Sequence, residues 1–155
     1  MRVGFGYDIH PFGGEGKLIL GGVTIEGPSL AGHSDADVVA HAVADALLGA
    51  AGLPDLGTLF PAADERYRDA DSMILLGDVG GRVARAGWKV ANVDVVVAAE
   101  QPRLGPHIRL MADNLERAIR AAPHTVSVKP KRAEGLGAVG RAEGIAAWAV
   151  ALLER

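Results

Sequence analysis

Residues 32–50 have the sequence GHSDADVVAHAVADALLGA, an Ala-, Val- and Leu-rich run with polar side chains at regular intervals. The run predicts a buried helix from about residue 35 to residue 50, ended by Gly49 and Gly52 with Pro54 just beyond. Residues four apart share one face of a helix, which predicts a polar stripe of His33, Asp37, His41 and Asp45. Such a stripe is a solvated face, a capping device or half of a metal site.

Capping explains the first turn of this helix without a catalytic role. Ser34 and Asp37 match a capping box with Ser34 as the N-cap, and Asp35 and Asp37 favour the positive end of the helix dipole. His41 is different because it lies two turns inside the apolar run, where an imidazole needs a polar partner. That partner is either a metal ion or a carboxylate one turn away, from Asp37 or Asp45.

Strand patterns lie on both sides of this helix. Residues 1–9 alternate in the manner of a strand, and KLILGGVTI (17–25) predicts a hairpin with a Gly21-Gly22 turn. Residues 89–100 predict a strand buried on both faces, and residues 125–130 predict a short strand. The tail at residues 144–155 matches a strand and a helix equally well.

Helix and strand patterns therefore alternate along the chain. Helical periodicity at residues 69–87 and 106–122 predicts two further helices, and residues 53–70 are typical of a loop. We expect an α/β fold (an α+β sandwich), a small mixed β-sheet with helices packed on one face. A chain of 155 residues is most simply one domain, at residues 1–155.

Composition narrows the function classes. The net charge is −3 and the 16 Lys and Arg residues are scattered apart from one short cluster, so neither nucleic acid nor a membrane is an expected partner. The first residues contain no apolar signal segment, so we expect a cytoplasmic protein. The chain has no cysteine, and a transition-metal site would have to use its five histidines and its carboxylates.

One apparent nucleotide-binding motif fails on its context. GLGAVG (135–140) matches the dinucleotide pattern G-x-G-x-x-G letter for letter. That motif should close a strand, open a helix and lead to a second strand with an acidic residue about 20 positions later. Here KPKRAE follows the preceding strand and the chain ends too soon for such a unit. The sequence therefore excludes a Rossmann function.

The sharpest candidate site combines YDIHP (7–11) with the histidine of the helix. Asp8 and His10 leave the same face of a strand, and Pro11 places them at its end. Alone, this pair is explained by an Asp–His hydrogen bond. With His41 it becomes a set of three N and O ligands with an open fourth position, typical of a catalytic zinc ion or another divalent transition metal.

Two segments have side chains suited to phosphate. His33 lies beside Ser34 at the start of the predicted helix, where free backbone N–H groups attract anions, although an exposed cap histidine explains it too. KPKRAEG (129–135) is either a solvated charge run or a diphosphate-binding loop. In the second case Glu134 offers an oxygen ligand to a hard divalent ion.

Six blocks spread over the chain resemble the 2-C-methyl-D-erythritol 2,4-cyclodiphosphate synthase family of non-mevalonate isoprenoid biosynthesis. Their order and spacing resemble the family's, which makes the resemblance far more specific than any single motif. The blocks are GYDIHPF (6–12), GHSDADVVAHAVADALLGAAGL (32–53), DLGTLFP (55–61), NVDVVV (92–97), QPRLGPH (101–107) and GLGAVGRAEGIAAWAVALL (135–153).

This resemblance implies an enzyme that converts 4-diphosphocytidyl-2-C-methyl-D-erythritol 2-phosphate into the 2,4-cyclodiphosphate and releases CMP. It implies zinc at Asp8, His10 and His41, and Mg²⁺ or Mn²⁺ held by Glu134 with the substrate diphosphate. It also implies a homotrimer with active sites between subunits. The alternatives are a non-catalytic module that binds a cytidine nucleotide or an isoprenoid diphosphate, and a metal-dependent phosphohydrolase.

The resemblance also implies roles for residues that contact the substrate. His33 and Arg132 are the candidate catalytic residues, and Ser34 pairs with His33 on a phosphate. The remaining candidates would contact the sugar portions, the cytosine and the phosphates. They are Asp55, Leu56, Gly57, Phe60, Pro61, Asp64, Ala99, Pro102, Arg103, Leu104, Gly105, Lys131 and Arg141.

The chain departs from the family pattern at three places. KRAE (131–134) replaces a threonine-rich TTTE, so Arg132 stands where a hydroxyl would stabilise the transferring phosphate. FPAAD (60–64) lacks a carboxylate at Ala62, and Ala138 replaces an aromatic residue. None of these positions belongs to the metal trio, so they concern rate and substrate fit and not the reaction class.

Overall fold

A four-stranded mixed sheet and a separate hairpin organise the computed structural model, which describes residues 1–155. The strands are β1 (Arg2–Pro11), β2 (Leu18–Leu20), β3 (Val23–Ile25), β4 (Lys89–Ala98), β5 (Val126–Lys131) and β6 (Gly144–Glu154). The helices are α1 (Val38–Ala51), α2 (Leu56–Leu59), α3 (Ser72–Arg85), α4 (Ile108–Ile119) and α5 (Gly137–Gly140). None of the helices combines the length and the apolar character that a membrane crossing requires.

The sheet order is β1-β6-β4-β5, and the ambiguous tail is its second strand. β6 pairs antiparallel with both β1 and β4, whereas β4 and β5 are parallel. Helix α1 packs on β1 and β6, α4 packs on β5, and α3 lies against both helices. The expected α/β fold with a mixed sheet and helices on one face is confirmed, and so is the predicted hairpin, whose Gly21 and Gly22 both have positive φ.

Glycine at two positions lets β1 approach α1 closely. A Cβ added at Gly4 would lie 1.9 Å from the carbonyl oxygen of Ala46, and one added at Gly6 would lie 2.0 Å from that of Ala42. Because these carbonyls belong to the helix backbone, they cannot move aside as a flexible side chain would. The strand end that carries Asp8 and His10 is therefore held against the helix that carries His41.

The prediction for the start of α1 was wrong by three residues. The helix begins at Val38 with Asp37 as its N-cap, so Ser34 does not cap it and His33 lies outside it. Asp37 is completely buried and accepts backbone N–H groups from both the first helical turn and the hairpin. Because two of these four donors belong to a hairpin 15 and 16 positions away, the local capping pattern did not reveal them. The predicted polar stripe consequently contains only His41 and Asp45.

The two faces of the sheet differ in burial. Alternate residues of β4, including Val93, Val95 and Val97, are buried under the helices, but the residues between them are only partly covered. Within a single chain β4 is buried on one face only, so the prediction that it is buried on both faces was wrong. The same outer face carries the exposed side chains of Val3, Phe5, Tyr7, Ile9, Trp148 and Val150.

The segment at residues 53–70 is less irregular than the sequence predicts. It contains the short helix α2, capped by Asp55, and a 3₁₀ turn at Glu65–Tyr67, capped by Asp64. Turns this short leave no hydrophobic periodicity in the sequence, which explains why they were missed.

Candidate metal and substrate site

Asp8 and His10 leave the same face of β1 and meet His41 of α1. Oδ2 of Asp8 lies 3.0 Å from Nε2 of His10 and 2.9 Å from Nδ1 of His41. The two histidine nitrogens are 3.4 Å apart, and one ligand atom from each residue falls within 4.8 Å of the others. The strand alternation and the position in the helix therefore bring together the three residues that the sequence analysis combined.

Burial and hydrogen bonding set the charge state of this cluster. Burial alone would raise the pKa of the Asp8 carboxyl, but the hydrogen bonds with His10 and His41 outweigh it and hold that pKa well below its usual range. The hydrogen bond with Asp8 raises the pKa of His10, although burial opposes the shift. Asp8 is therefore an ionised oxygen donor beside two imidazoles, which suits a divalent transition metal.

The outer hydrogen bonds of the cluster differ from those expected. Nδ1 of His10 lies 2.8 Å from the carbonyl oxygen of Ala31. Neither Asp37 nor Asp45 reaches His41, because Asp37 accepts backbone N–H groups and Asp45 accepts that of Leu56. Nε2 of His41 lies instead 3.0 Å from Oγ of Ser72 and 3.2 Å from Oγ of Ser34.

Ser72 is a residue that the sequence analysis missed. It is the first residue of α3 and is 31 positions from His41, so no helical or strand period connects the two. Only the packing of α3 against α1 brings its hydroxyl to the imidazole. Ser72 follows the N-cap residue Asp71, a position that by itself indicates no distant partner.

A cleft of about 260 Å³ lies beside the cluster. Its wall contains several residues predicted to contact substrate, together with Tyr67 and Leu75, which were not predicted, and Ala62, where the family pattern has a carboxylate. Nε2 of His33 is buried there without a hydrogen-bond partner, which leaves an imidazole nitrogen available to a ligand. The predicted residues in this wall are His10, His33, Ser34, His41, Leu56, Gly57 and Phe60.

A second pocket, of about 410 Å³, lies where β4 and β5 end. It contains the predicted cytosine segment, namely Ala99, Pro102, Arg103, Leu104 and Gly105, together with Lys131 and Arg132. Glu100 also lines it and lies inside the predicted segment 99–105, but no role was predicted for its side chain. Its carboxylate accepts hydrogen bonds from Arg132 and from the backbone N–H of Ala133, and the hydrogen bond from Arg132 lowers the pKa of Glu100.

Comparison with known proteins places these features in a family. The YgbB family model matches residues 1–154, which is nearly the whole chain. This chain belongs to the YgbB family. The resemblance inferred from the six sequence blocks is confirmed.

Three relatives of this YgbB-family chain share its length or its fold. The 2-C-methyl-D-erythritol 2,4-cyclodiphosphate synthase of Syntrophomonas wolfei is 51% identical over 156 residues, covering 100% of this chain and 99% of the relative. The structure of the bifunctional IspDF from Campylobacter jejuni has a TM-score of 0.94 and 38% identity, covering 98% of this chain and 42% of that one. The CDP complex of Plasmodium falciparum IspF has a TM-score of 0.85 and 34% identity, covering 98% and 94%.

The predicted site residues do not all lie together within this chain. The two pockets have no lining residue in common, and six predicted residues line neither of them. Asp55 and Asp64 cap short helices, Arg141 pairs with Glu143, and Glu134 is exposed at a positive φ. The other two are Pro61 and Asp8, the latter in the cluster with His10 and His41. Within one chain, the predicted residues therefore divide between two separate pockets, one beside the potential metal ligands and one beside the basic loop.

Proposed function

We propose that this chain is a 2-C-methyl-D-erythritol 2,4-cyclodiphosphate synthase, which converts 4-diphosphocytidyl-2-C-methyl-D-erythritol 2-phosphate into the cyclic diphosphate and releases CMP. The observation that carries the proposal is the convergence of Asp8, His10 and His41 beside a cleft that contains the unpaired Nε2 of His33. The name of the Syntrophomonas wolfei relative and the CDP bound to Plasmodium falciparum IspF support it. We also propose a cytoplasmic location.

The donor set suits zinc. Asp8 offers an ionised oxygen and the two imidazoles offer nitrogens, while the contact of His10 Nδ1 with the Ala31 carbonyl leaves Nε2 free to face the cluster. Zinc bound there would supply a Lewis acid and a template for phosphate groups. The exposed carboxylate of Glu134 is a hard oxygen ligand, which suits Mg²⁺ or Mn²⁺ held together with the substrate diphosphate.

The proposed reaction needs positioning more than covalent work by the protein. An oxygen of the 2-phosphate attacks the β-phosphorus, the bond from that phosphorus to the CMP oxygen breaks, and CMP leaves with the bonding electrons. His33 and Ser34 would hold phosphate in the cleft beside the cluster, and the segment from Ala99 to Gly105 would hold cytosine. Lys131 and Arg132 would neutralise charge on the phosphates and keep the reacting groups in line.

We further propose a homotrimer in which the pocket beside the metal ligands of one subunit and the basic-loop pocket of its neighbour are the two half-sites of one active site. The outer face of the sheet supports this proposal because it exposes 63% of Phe5, 45% of Tyr7 and 36% of Trp148. An apolar patch of this kind marks a protein contact, and closed rings are built from one repeated interface. The separation of the two pockets within one chain has the same implication.

A product assay tests the reaction. We expect the chain, supplied with the diphosphocytidyl substrate, zinc and magnesium, to form CMP and the cyclic diphosphate in equal amounts, identified by mass spectrometry. Asp8→Ala should abolish this activity, and Asp113→Ala, which alters a surface carboxylate paired with Arg109, should retain it. An open-chain phosphate product would indicate the phosphohydrolase, and bound substrate without turnover would indicate the binding module.

A further inference from the structure

Ser72 connects His41 to a carboxylate outside the proposed ligand set. Its side chain is buried, with 1% of the residue exposed, and its Oγ lies 3.0 Å from Nε2 of His41. The same hydroxyl donates a hydrogen bond to Oδ1 of Asp35. Asp35, Ser72 and His41 thus form a continuous hydrogen-bonded row that ends at the side of the imidazole away from Asp8.

Asp35 is itself held in place from two sides. Its Oδ2 accepts the backbone N–H of Ser72 at 3.1 Å, and its Oδ1 accepts the backbone N–H of Asp37 at 3.2 Å. Its own backbone N–H donates to the carbonyl oxygen of Ala70 at 3.1 Å. The carboxylate therefore joins the segment before α1 to the start of α3 and has little freedom to rotate.

The hydrogen-bonded row of Asp35, Ser72 and His41 affects how His41 can bind a metal ion. Nδ1 of His41 faces Asp8 and His10, and it binds a metal ion only when its lone pair is free. The ring proton must then be on Nε2, where it needs an acceptor. Because Ser72 directs its hydroxyl proton to Asp35, its oxygen lone pairs are left to accept the proton of His41.

We propose that Asp35 and Ser72 are positioning residues that hold His41 in the tautomer and orientation in which Nδ1 binds the metal ion. The inference rests on the proposed metal site and deepens it, but it does not depend on the reaction. Oγ of Ser34 is the competing acceptor at 3.2 Å from the same nitrogen. Ser34 has no carboxylate that would orient its hydroxyl, whereas Ser72 has one.

The test is metal affinity measured without substrate. Zinc affinity comes from competition with a chromophoric chelator, and the visible absorption of bound Co²⁺ reports the geometry around the ion. We expect Ser72→Ala to weaken zinc binding about 10- to 100-fold and to change the Co²⁺ spectrum, as other losses of a histidine's outer partner do. Ser127→Ala, which removes an exposed hydroxyl bonded to Asp94, is the matched control and should bind as the unaltered chain does.

The variant Asp35→Asn keeps the test decisive if Ser72→Ala fails to fold. Asp35→Asn should weaken zinc binding in the same direction. Where Ser72→Ala folds, combining the two substitutions should cost less than the sum of the two single effects. Unchanged affinity and spectrum in Ser72→Ala, or a loss confined to Ser34→Ala, would overturn the inference. A chain that binds neither zinc nor cobalt would overturn the metal site as well, whereas one that binds zinc and releases no CMP overturns only the proposed reaction.

Discussion

Arg132, on the loop after β5, donates from Nε and Nη2 to one carboxylate oxygen of Glu100, at the end of β4. The side chain of Glu100 is only 14% exposed, whereas that of Arg132 is 61% exposed. The other Glu100 oxygen accepts the backbone N–H of Ala133 at 3.2 Å. The carboxylate therefore holds both the guanidinium and its loop at the rim of the second pocket, where a cation would meet an incoming phosphate.

This pairing predicts how substitutions at Arg132 affect turnover. We expect Arg132→Ala to lower kcat/KM about 10- to 100-fold, because a hydrogen bond to a charged group is worth about 1.5–3 kcal/mol. Glu100→Gln should cause a smaller loss in the same direction, since it loosens the guanidinium without removing it. Steady-state kinetics with CMP detection measures both. Arg109→Ala, on the surface of α4, is the control, and equal kinetics in all four proteins would refute the role of Arg132.

Asp37 combines two structural tasks in one buried side chain. Its oxygens accept the N–H groups of Val39 and Ala40 in the first turn of α1, and also those of Gly21 and Gly22 in the hairpin turn. The carboxylate thus fastens the hairpin to the start of the helix. Four backbone donors would lose their partner together if it were removed.

We expect Asp37→Ala to lower the free energy of unfolding by about 2–5 kcal/mol, from a lost cap and unsatisfied buried donors. Asp71→Ala is the matched control, because Asp71 caps α3 through one exposed hydrogen bond to Met73. That variant should lose about 0.5–2 kcal/mol. Urea unfolding followed by circular dichroism measures both, and equal losses would contradict the bridging role of Asp37.

Among the elements, the contact of β1 with α1 controls the metal cluster. β1 carries Asp8 and His10, α1 carries His41, and the two elements approach closely because Gly4 and Gly6 face the helix. β1 also pairs along its whole length with β6. Any separation of the strand from the helix would therefore lengthen the distances from His41 to Asp8 and His10.

A matched pair of glycine substitutions tests this contact. Gly6→Ala places a Cβ 2.0 Å from the Ala42 carbonyl oxygen and 2.7 Å from the Ala46 nitrogen, so we expect a loss of about 3 kcal/mol or more in stability. Gly49→Ala lies in α1 with no atom within 4 Å of the new Cβ and should gain about 0.5–1 kcal/mol. Thermal unfolding distinguishes them, and a neutral Gly6→Ala would show that the contact is not tight.

At the scale of the whole molecule, the uncovered sheet face is the dominant feature. Tyr7 and Trp148 pair across β1 and β6 with ring centroids 5.5 Å apart, and Phe5 lies opposite Val150 in the next register position. Toward β5 the same face becomes polar, where Lys129 pairs with Asp94. An apolar surface of this extent needs a partner, and the proposed trimer provides one.

The trimer proposal predicts the effect of a charge on this face. We expect Trp148→Glu to convert the assembly into monomers in sedimentation velocity and to abolish CMP release, because the two half-sites would separate. Ile74→Glu is the control, since Ile74 is 71% exposed on α3 and lies away from the sheet face. A trimeric Trp148→Glu protein would rule out this face as the interface, and an active monomer would rule out shared sites.

Local spacing was enough to predict several features of the chain. Alternation along β1 placed Asp8 and His10 on one face, and the apolar run of α1 placed His41 on a buried helix. The glycine pair between two apolar runs identified the hairpin, and the family blocks identified the reaction. The strand, helix and hairpin features depend on residues that are close in sequence, and backbone geometry repeats in the same way in every helix or strand.

Long-range packing decided the rest. The tail is a strand because its residues pair with β1 and β4. Its sequence pattern matched a helix and a strand equally well and could not distinguish them. Asp37, and not Ser34, caps α1, and its carboxylate also accepts backbone N–H groups of a hairpin 15 positions away. Ser72 contacts His41 only through the packing of α3. Burial and hydrogen-bond satisfaction are properties of the assembled chain, so local periodicity establishes which side chains share a face but not which distant groups they meet.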